Sequence, residues 1–243
     1  GGTGFTLLTG EAFSLPADKV SMEQRAAEAF FAALGVPVPP LTVRLEKNIP
    51  AFAGLGGGSA DVAALLRCLR RLYAAGMPDE ALRAIGLTVG SDVPFCVSGG
   101  TSLAEGRGER LTDLPPLPVC QIVLCKSDFG ISTPELFVLA DGAVLSKRPD
   151  IAGLTAALQG GELTGVTDRL CNVFEEFLPE RYQEVFRIKE ILLAHGALNA
   201  AMSGSGPTVY GIFESAAEAQ RAAEVLKKSY QQTYVAKPVK KLV

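Results

Sequence analysis

The sequence predicts an α+β protein of two domains, and three observations carry that prediction. In the first half an alternating segment, a glycine run and an amphipathic helix follow one another, the order strand, loop, helix. Between Asp113 and Pro118 three prolines mark a linker. Beyond it come a strand, mixed helices, two adjacent strands, a helix and a last strand, which is the order of a ferredoxin-like sandwich with helices inserted. The expected domains are residues 1–116 and 117–243.

Taken in order, Phe5 to Leu8 read as a short strand and Ser21 to Leu34 as a helix with Ala26, Ala29, Phe30 and Ala33 inward. Pro37, Pro39 and Pro40 break the chain, and Leu41 to Glu46 alternate as a half-buried strand does. That strand feeds Pro50-Ala-Phe-Ala-Gly-Leu-Gly-Gly-Gly-Ser-Ala-Asp61. Gly56, Gly57 and Gly58 let the backbone take positive φ without a Cβ penalty and approach a ligand closely. In the helix that follows, Val62, Leu65, Leu66, Leu69, Leu72 and Tyr73 recur at helical spacing with Arg67, Arg70 and Arg71 between them. Gly76 and Pro78 stop it.

A helix start has unpaired N–H groups and the positive end of the peptide dipoles, which together hold a polyphosphate. The loop is neither a Walker A sequence, since no Gly-Lys-Ser/Thr follows, nor the dinucleotide pattern, since Ser59 and Ala60 stand where its last glycine spacing would fall. A lone glycine-rich turn before a core helix is often only a turn. Three adjacent glycines followed at once by Ser59 favour a phosphate cradle, and with it a user of ATP. Ser59 suits an N-cap as well as a phosphate or metal contact, and Asp61 reads as a first-turn acid complementing the dipole.

Further on, Asp79 is the expected cap of a helix Glu80 to Leu87. Gly90-Ser-Asp-Val-Pro-Phe95 makes a tight joint before an apolar strand, Phe95 to Val97, and Thr101 to Leu111 form a turn and strand pair. Asp92 in that joint suits a turn former, or a carboxylate that orients or deprotonates a substrate hydroxyl. A carboxylate is a weak base for an alcohol, so its expected work is mainly positioning.

The second half opens with an apolar strand, Gln121 to Cys125, then helices near Thr133 to Leu139 and Ile151 to Leu158. A longer helix, Arg181 to His195, has Tyr182, Val185, Ile188 and Leu192 on one side. Strand Leu198 to Met202, the loop Ser203-Gly-Ser-Gly-Pro207, strand Thr208 to Phe213, a helix opened by Ser215 and Glu218, and strand Gln232 to Lys240 complete the chain. Gly-rich hairpin loops are usually only hairpins. The small residues Ser203, Gly204, Ser205 and Gly206 would also let backbone approach phosphates from a second side.

Composition narrows the chemistry. A chain of 243 residues with 48% hydrophobic content buries a full core. A net charge of −3 with mixed signs argues against nucleic acid as a partner, and the Lys237, Lys240, Lys241 tail reads as a solvated strand end. No apolar run approaches the ~18 residues of a membrane span. Five cysteines without a C-x-x-C pair point to reduced, buried thiols in the cytoplasm. The one histidine, His195, stands before Gly196 as a helix cap. A zinc site or a Ser-His-Asp triad therefore lacks raw material.

Pro50 to Asp61, the Gly90 to Phe95 joint with Gly99-Gly-Thr and Glu105-Gly-Arg-Gly-Glu109 downstream, and Met202-Ser-Gly-Ser-Gly-Pro-Thr208 resemble, in order, the motifs of the GHMP small-molecule kinases. Lys47-Asn-Ile-Pro50, Ile131-Ser-Thr133 and Asn172-Val-Phe-Glu175 resemble the branch of that family in the non-mevalonate isoprenoid pathway. The likeness runs from about Leu15 onward. It implies transfer of the ATP γ-phosphate, with Mg2+, to the 2-hydroxyl of a cytidine-diphosphate-linked methylerythritol. It implies Lys47 and Pro50, Ala51, Phe52, Ala53, Gly54, Leu55, Gly56, Gly57, Gly58, Ser59 and Ala60 as the ATP-binding residues. Asp92 would be the catalytic carboxylate and Phe137 the ring that stacks on cytosine. The implied architecture is a ribosomal-protein-like N-terminal domain, a ferredoxin-like C-terminal domain and a cleft between them.

Some family features are not found. The Ala-Lys-Ile-Asn-Leu strand, whose Lys partners the catalytic Asp, and the Asp-Gly-Tyr-His motif for cytidine are expected upstream of Gly1, which is not Met and reads as a start other than the natural one. Ser21 stands where the family has Asn near the adenine, Ala60 replaces a second Ser of the loop, and Phe52 puts a ring where a small residue is typical. Two alternatives stay open on sequence alone: a nucleotide-binding remnant without catalysis, and a sister kinase acting on homoserine or a mevalonate-type alcohol. Oligomeric state and metal ligands are not legible.

Overall fold

The computed structural model describes residues 4–10, 20–142, 144–146 and 148–239. They group into two compact units. Among the described residues, one holds those up to Ala51 together with Gly56–Asp113, and the other holds Phe52–Leu55 and those from Leu114 onward.

The first unit is a helical core with two small sheets. Strand β1 (Phe5–Thr9) pairs in parallel with β2 (Leu41–Leu45), Leu7 opposite Val43, and helix α1 (Met22–Ala33) connects them. Ser21 caps α1, its hydroxyl accepting the Gln24 N–H at 2.9 Å. Helix α2 (Gly57–Tyr73), α3 (Asp79–Val89) and α4 (Val93–Ser98) follow, and then the hairpin of β3 (Thr101–Glu105) and β4 (Arg110–Leu114). Phe30, Val62, Leu66, Leu82 and Val93 are fully buried in the core that joins the four helices. Burying each such side chain stabilises the unit by about 2 kcal/mol.

Four readings change here. Phe95 to Val97 belong to a helix and not a strand, because Val93 and Val97, one turn apart, are the buried pair and Pro94 sits in the first turn where its missing N–H costs nothing. An apolar run of three residues does not distinguish the two states. Gly86 lets this helix dock on α3, since a Cβ there would stand 2.6 Å from Val93 Cγ1. In α1 the inner face is Ala26, Ala27, Phe30 and Phe31, whereas Ala29 is half-buried and Ala33 exposed. In α2, Leu65 is half-buried and Leu72 and Tyr73 are 71% and 47% exposed, because the last turn runs past the helices that cover Val62 and Leu66. Tyr73 keeps an edge contact with Phe31, ring centroids 5.0 Å apart. Pro78, not Asp79, occupies the N-cap of α3.

The second unit is a four-stranded antiparallel sheet backed by helices. Strand β5 (Gln121–Cys125) leads to α5 (Thr133–Asp141), α6 (Ile151–Gly160), α7 (Leu163–Thr167), 3-10 turns at Val173–Phe177 and Glu180–Tyr182, and α8 (Glu184–Ala194). Strands β6 (Asn199–Met202) and β7 (Val209–Phe213), helix α9 (Ala216–Lys227) and β8 (Thr233–Ala236) complete it. The strand order β6-β7-β5-β8 is the ferredoxin-like arrangement, with β5 inside and Cys125 opposite both Val209 and Thr233. Helices α8 and α9 bury Val185, Ile188, Leu192, Ala219, Ala222 and Leu226 against it.

Helix α8 starts at Glu184, later than expected, because Arg181 and Tyr182 lie in the tighter turn before it. His195 caps its end, with Nδ1 2.7 Å from the Ile191 carbonyl. The last strand ends at Ala236, and Lys240 and Lys241 lie outside the described residues. All five cysteines are free, but only Cys120 and Cys125 are buried, while Cys68 and Cys171 are exposed. Among the described residues no helix is long and apolar enough to cross a membrane.

Candidate active site

In the first unit the glycine run builds an open helix start. Gly56 stands at the N-cap of α2 with φ 65°, the left-handed conformation that glycine takes without a steric penalty. The first helical bond runs from the Ala60 N–H to the Gly56 carbonyl at 2.9 Å, and no side chain caps the end. The N–H groups of Gly57, Gly58 and Ser59 thus lie ahead of the hydrogen-bond ladder, at the positive pole of a 17-residue helix. A helix start of this geometry can hold an anion.

The helix begins earlier than the side chains suggest, since Gly57 and Gly58 already have helical geometry. Ser59 is therefore its third residue and not its cap, and Asp61 is its fifth, beyond the first turn. Asp61 instead pairs with the Lys47 ammonium; their side chains are 22% and 14% exposed, so water screens the pair less than a surface one. Lys47 is thereby held against the first turns of α2.

The Asp92 joint lies beside this helix start. Met22 fills the space between them: its Sδ is 3.4 Å from where a Cβ on Gly58 would stand, and its Cε 3.4 Å from one on Gly90. Ser59 Oγ is 3.8 Å from that same point on Gly90. No motif pointed to Met22. Its signal was only a thioether at the first position of α1, behind a capping Ser21 whose hydroxyl is engaged by its own helix.

Asp92 occupies the N-cap of α4, yet its side chain does not cap the helix. The carboxylate is exposed and makes no hydrogen bond or ion pair with another described residue. Its charge still reaches Cys96: burial first, then Asp92, push that thiol up, and Arg67 opposes them. Cys96 is accordingly a packed, protonated thiol and no nucleophile at neutral pH. The β3–β4 turn presses on the joint from the other side, because a Cβ on Gly108, at φ 106°, would stand 2.2 Å from the Ser91 carbonyl oxygen. Glu109 stiffens that turn by accepting the Arg107 N–H at 2.6 Å. Hydrogen bonds from its own and the Arg107 backbone hold its carboxyl below the usual range.

The remaining part of the first glycine loop, Phe52–Leu55, groups with the second unit. Phe52 has φ 52° and is 81% exposed, a left-handed conformation that costs a bulky L-residue roughly 1–2 kcal/mol. Thr208 donates its N–H to the Ala53 carbonyl at 3.3 Å, and Ser203 its hydroxyl to the Gly54 carbonyl at 2.8 Å. Gly54, at φ 70°, lies so close that a Cβ on it would stand 2.2 Å from the Ser203 carbonyl oxygen. The second glycine loop is therefore packed on the first, with Ser205 Oγ 2.7 Å from Thr133 Oγ1 at the start of α5.

Two polar residues support that loop from below. Asn172 donates to the Met202 and Gly204 carbonyls at 2.7 and 2.8 Å. Glu175, which is ion-paired with Lys189, accepts the Met202 N–H at 2.6 Å. Because β6 is an edge strand, these side chains supply partners that a neighbouring strand would otherwise give. Phe137, on α5, keeps 56% of its surface exposed while Phe174 meets it edge-on, centroids 5.4 Å apart and planes at 83°. A ring held at its edge with its surface open can stack on a flat ligand.

Comparison with known proteins gives this arrangement a family. The family described as GHMP kinases N terminal domain matches residues 21–100, and that described as GHMP kinases C terminal matches residues 154–232. The chain belongs to the GHMP kinases. It is 35% identical over 232 residues to the 4-diphosphocytidyl-2-C-methyl-D-erythritol kinase of Clostridium acetobutylicum, covering 96% of this chain and 82% of that one. To the enzyme of the same name from Enterococcus faecalis it is 42% identical over 201 residues, 82% of this chain and 70% of that one. A crystal structure of 4-(cytidine 5'-diphospho)-2C-methyl-D-erythritol kinase superposes with TM-score 0.74 at 30% identity, covering 96% and 82% of the two chains. Homoserine kinase from Cytophaga hutchinsonii reaches TM-score 0.75 over 98% and 82%, but at 19% identity it shares the fold alone.

Proposed function

We propose that this protein transfers the γ-phosphate of ATP to the 2-hydroxyl of 4-diphosphocytidyl-2-C-methyl-D-erythritol, a step of isoprenoid biosynthesis by the non-mevalonate route. Relatives named for kinases of that substrate, 35–42% identical over most of the chain, are the observation that carries the choice of acceptor. The uncapped start of α2, with Asp92 unpaired in the same unit, supports the chemistry.

In this reading Pro50 to Ala60 are the ATP-binding loop, and the N–H groups of Gly57, Gly58 and Ser59 bind the polyphosphate. Asp92 accepts a hydrogen bond from the 2-hydroxyl and takes its proton as the oxygen bonds to the γ-phosphorus and ADP leaves. A carboxylate with no cap to satisfy can turn to the acceptor. Mg2+ would be carried in on the nucleotide and would neutralise phosphate charge there, and the Ser59 hydroxyl is a candidate ligand for it. Phe137 stacks on the cytosine and sets preference for a cytidine-bearing acceptor.

An acceptor panel tests the assignment of Phe137. With Mg-ATP the cytidylyl methylerythritol is phosphorylated, and homoserine and mevalonate are not. Phe137→Ala raises KM for the cytidine-bearing acceptor by about 5–100-fold, the usual worth of base stacking, and leaves KM for ATP unchanged. An unchanged acceptor KM in this variant would remove the ring from the binding site.

A further inference from the structure

We infer that Asn172 is a positioning residue that ties the nucleotide loop and the cytosine ring to one frame, through opposite ends of its side-chain amide. The inference rests on the nucleotide and cytidine sites proposed above, and every contact it uses lies within the second unit.

The nitrogen end acts on the nucleotide side. It donates to the carbonyls of Met202 and Gly204, the residues flanking Ser203. Ser203 in turn donates its hydroxyl to the Gly54 carbonyl and crowds Gly54 with its own carbonyl oxygen. A Cβ on Gly54 would meet backbone of both Ser203 and Gly206, so a shift of the 202–204 segment is passed to Gly54 with little slack. Glu175 fixes the same segment by taking the Met202 N–H.

The oxygen end acts on the acceptor side. It accepts the Phe174 N–H at 3.0 Å and so sets the start of the 3-10 turn Val173–Phe177. The Phe174 ring then meets Phe137 edge-on, and Phe177 packs on Phe174 at 5.8 Å. One amide therefore serves two ligands, and the partners fix its orientation: two carbonyls need donors and one N–H needs an acceptor.

Substitution separates the two ends. Asn172→Asp keeps an acceptor for Phe174 but turns a carboxylate toward two carbonyls, whereas Asn172→Ala removes both ends. Calorimetric titration of the purified protein with a non-hydrolysable ATP analogue and, separately, with 4-diphosphocytidyl-2-C-methyl-D-erythritol reads each side. The expected result is that Asn172→Asp weakens the nucleotide analogue by about tenfold or more, since two hydrogen bonds are lost and a carboxylate faces two carbonyl oxygens, with acceptor affinity near wild type. Asn172→Ala weakens both ligands. Equal effects of the two variants on both ligands, or no effect on either, would overturn the inference. Wild-type titrations separate this from failure of the functional reading. Loss of acceptor binding in the wild type refutes the substrate assignment, while the nucleotide titration still decides the nitrogen end.

Discussion

Asp92→Ala lowers kcat by about 10²–10⁴-fold, the range for removing a group that handles the reacting proton, while affinity for an ATP analogue stays near the wild-type value. The separation follows from where the residue stands. Asp92 is exposed at the N-cap of α4, its carboxylate caps nothing and pairs with no described residue, so its loss leaves no buried group orphaned. The fold of the joint is carried by other atoms. The Cys96 N–H is bonded to the Asp92 backbone carbonyl at 3.1 Å, and Val93 is buried, and both survive the substitution. The nucleotide's proposed contacts belong to the start of α2, which does not use Asp92. Steady-state kinetics with varied ATP and acceptor, beside equilibrium binding of the analogue, check this. Undiminished turnover in the variant would take Asp92 out of the mechanism.

Gly54→Ala is expected to be the most damaging small substitution in the glycine loop. The new methyl would stand 2.2 Å from the Ser203 carbonyl oxygen and 2.9 Å from the Gly206 nitrogen, both backbone atoms that cannot rotate away. To this is added the strain of an L-residue at φ 70°, roughly 1–2 kcal/mol. Together they should cost about 2–4 kcal/mol, which is the range of severe single-site changes, and break the Ser203 to Gly54 and Thr208 to Ala53 bonds. Gly56→Ala provides the contrast. It also has positive φ, but nothing lies within 4 Å of its Cβ position, so it carries the backbone strain alone. Denaturant unfolding of both variants checks the difference, the Gly54 variant losing more stability and more nucleotide affinity. Equal losses would mean that the close approach of the two glycine loops has no energetic weight.

The parts of this protein that were legible in the sequence are those set by local periodicity. The inner face of α2 at Val62, Leu66 and Leu69, the cap at Ser215, and the order of strands and helices in the ferredoxin-like unit follow from spacing and capping chemistry. The failures mark where tertiary packing decides. Leu72 and Tyr73 continue the apolar stripe of α2 after its neighbours have ended, and Val93 and Val97 make a helix of a run too short to show its period.

The candidate site divides in the same way. Gly56 to Ser59 stand out as the start of α2 because their signal is contiguous in the chain. Asp61 looked like a dipole-complementing acid and is instead the partner of Lys47, because the helix starts at Gly57 and carries it past the first turn. The support beneath the second glycine loop was invisible to spacing. Ser203 and Gly54 are 149 positions apart, and Asn172 reaches Met202 across 30. A Ser or an Asn beside small residues signals a turn or a cap and says nothing of which distant carbonyl it meets.

The reaction itself is the most direct measurement. Purified protein is incubated with Mg-ATP and 4-diphosphocytidyl-2-C-methyl-D-erythritol, and the products are read by phosphorus NMR. The expected spectrum gains a phosphomonoester on the 2-oxygen of the methylerythritol, with ADP appearing in equal amount. A contradiction would be ATP analogue binding without any phosphomonoester, or a phosphoryl group appearing on homoserine or mevalonate but not on the cytidine-bearing acceptor.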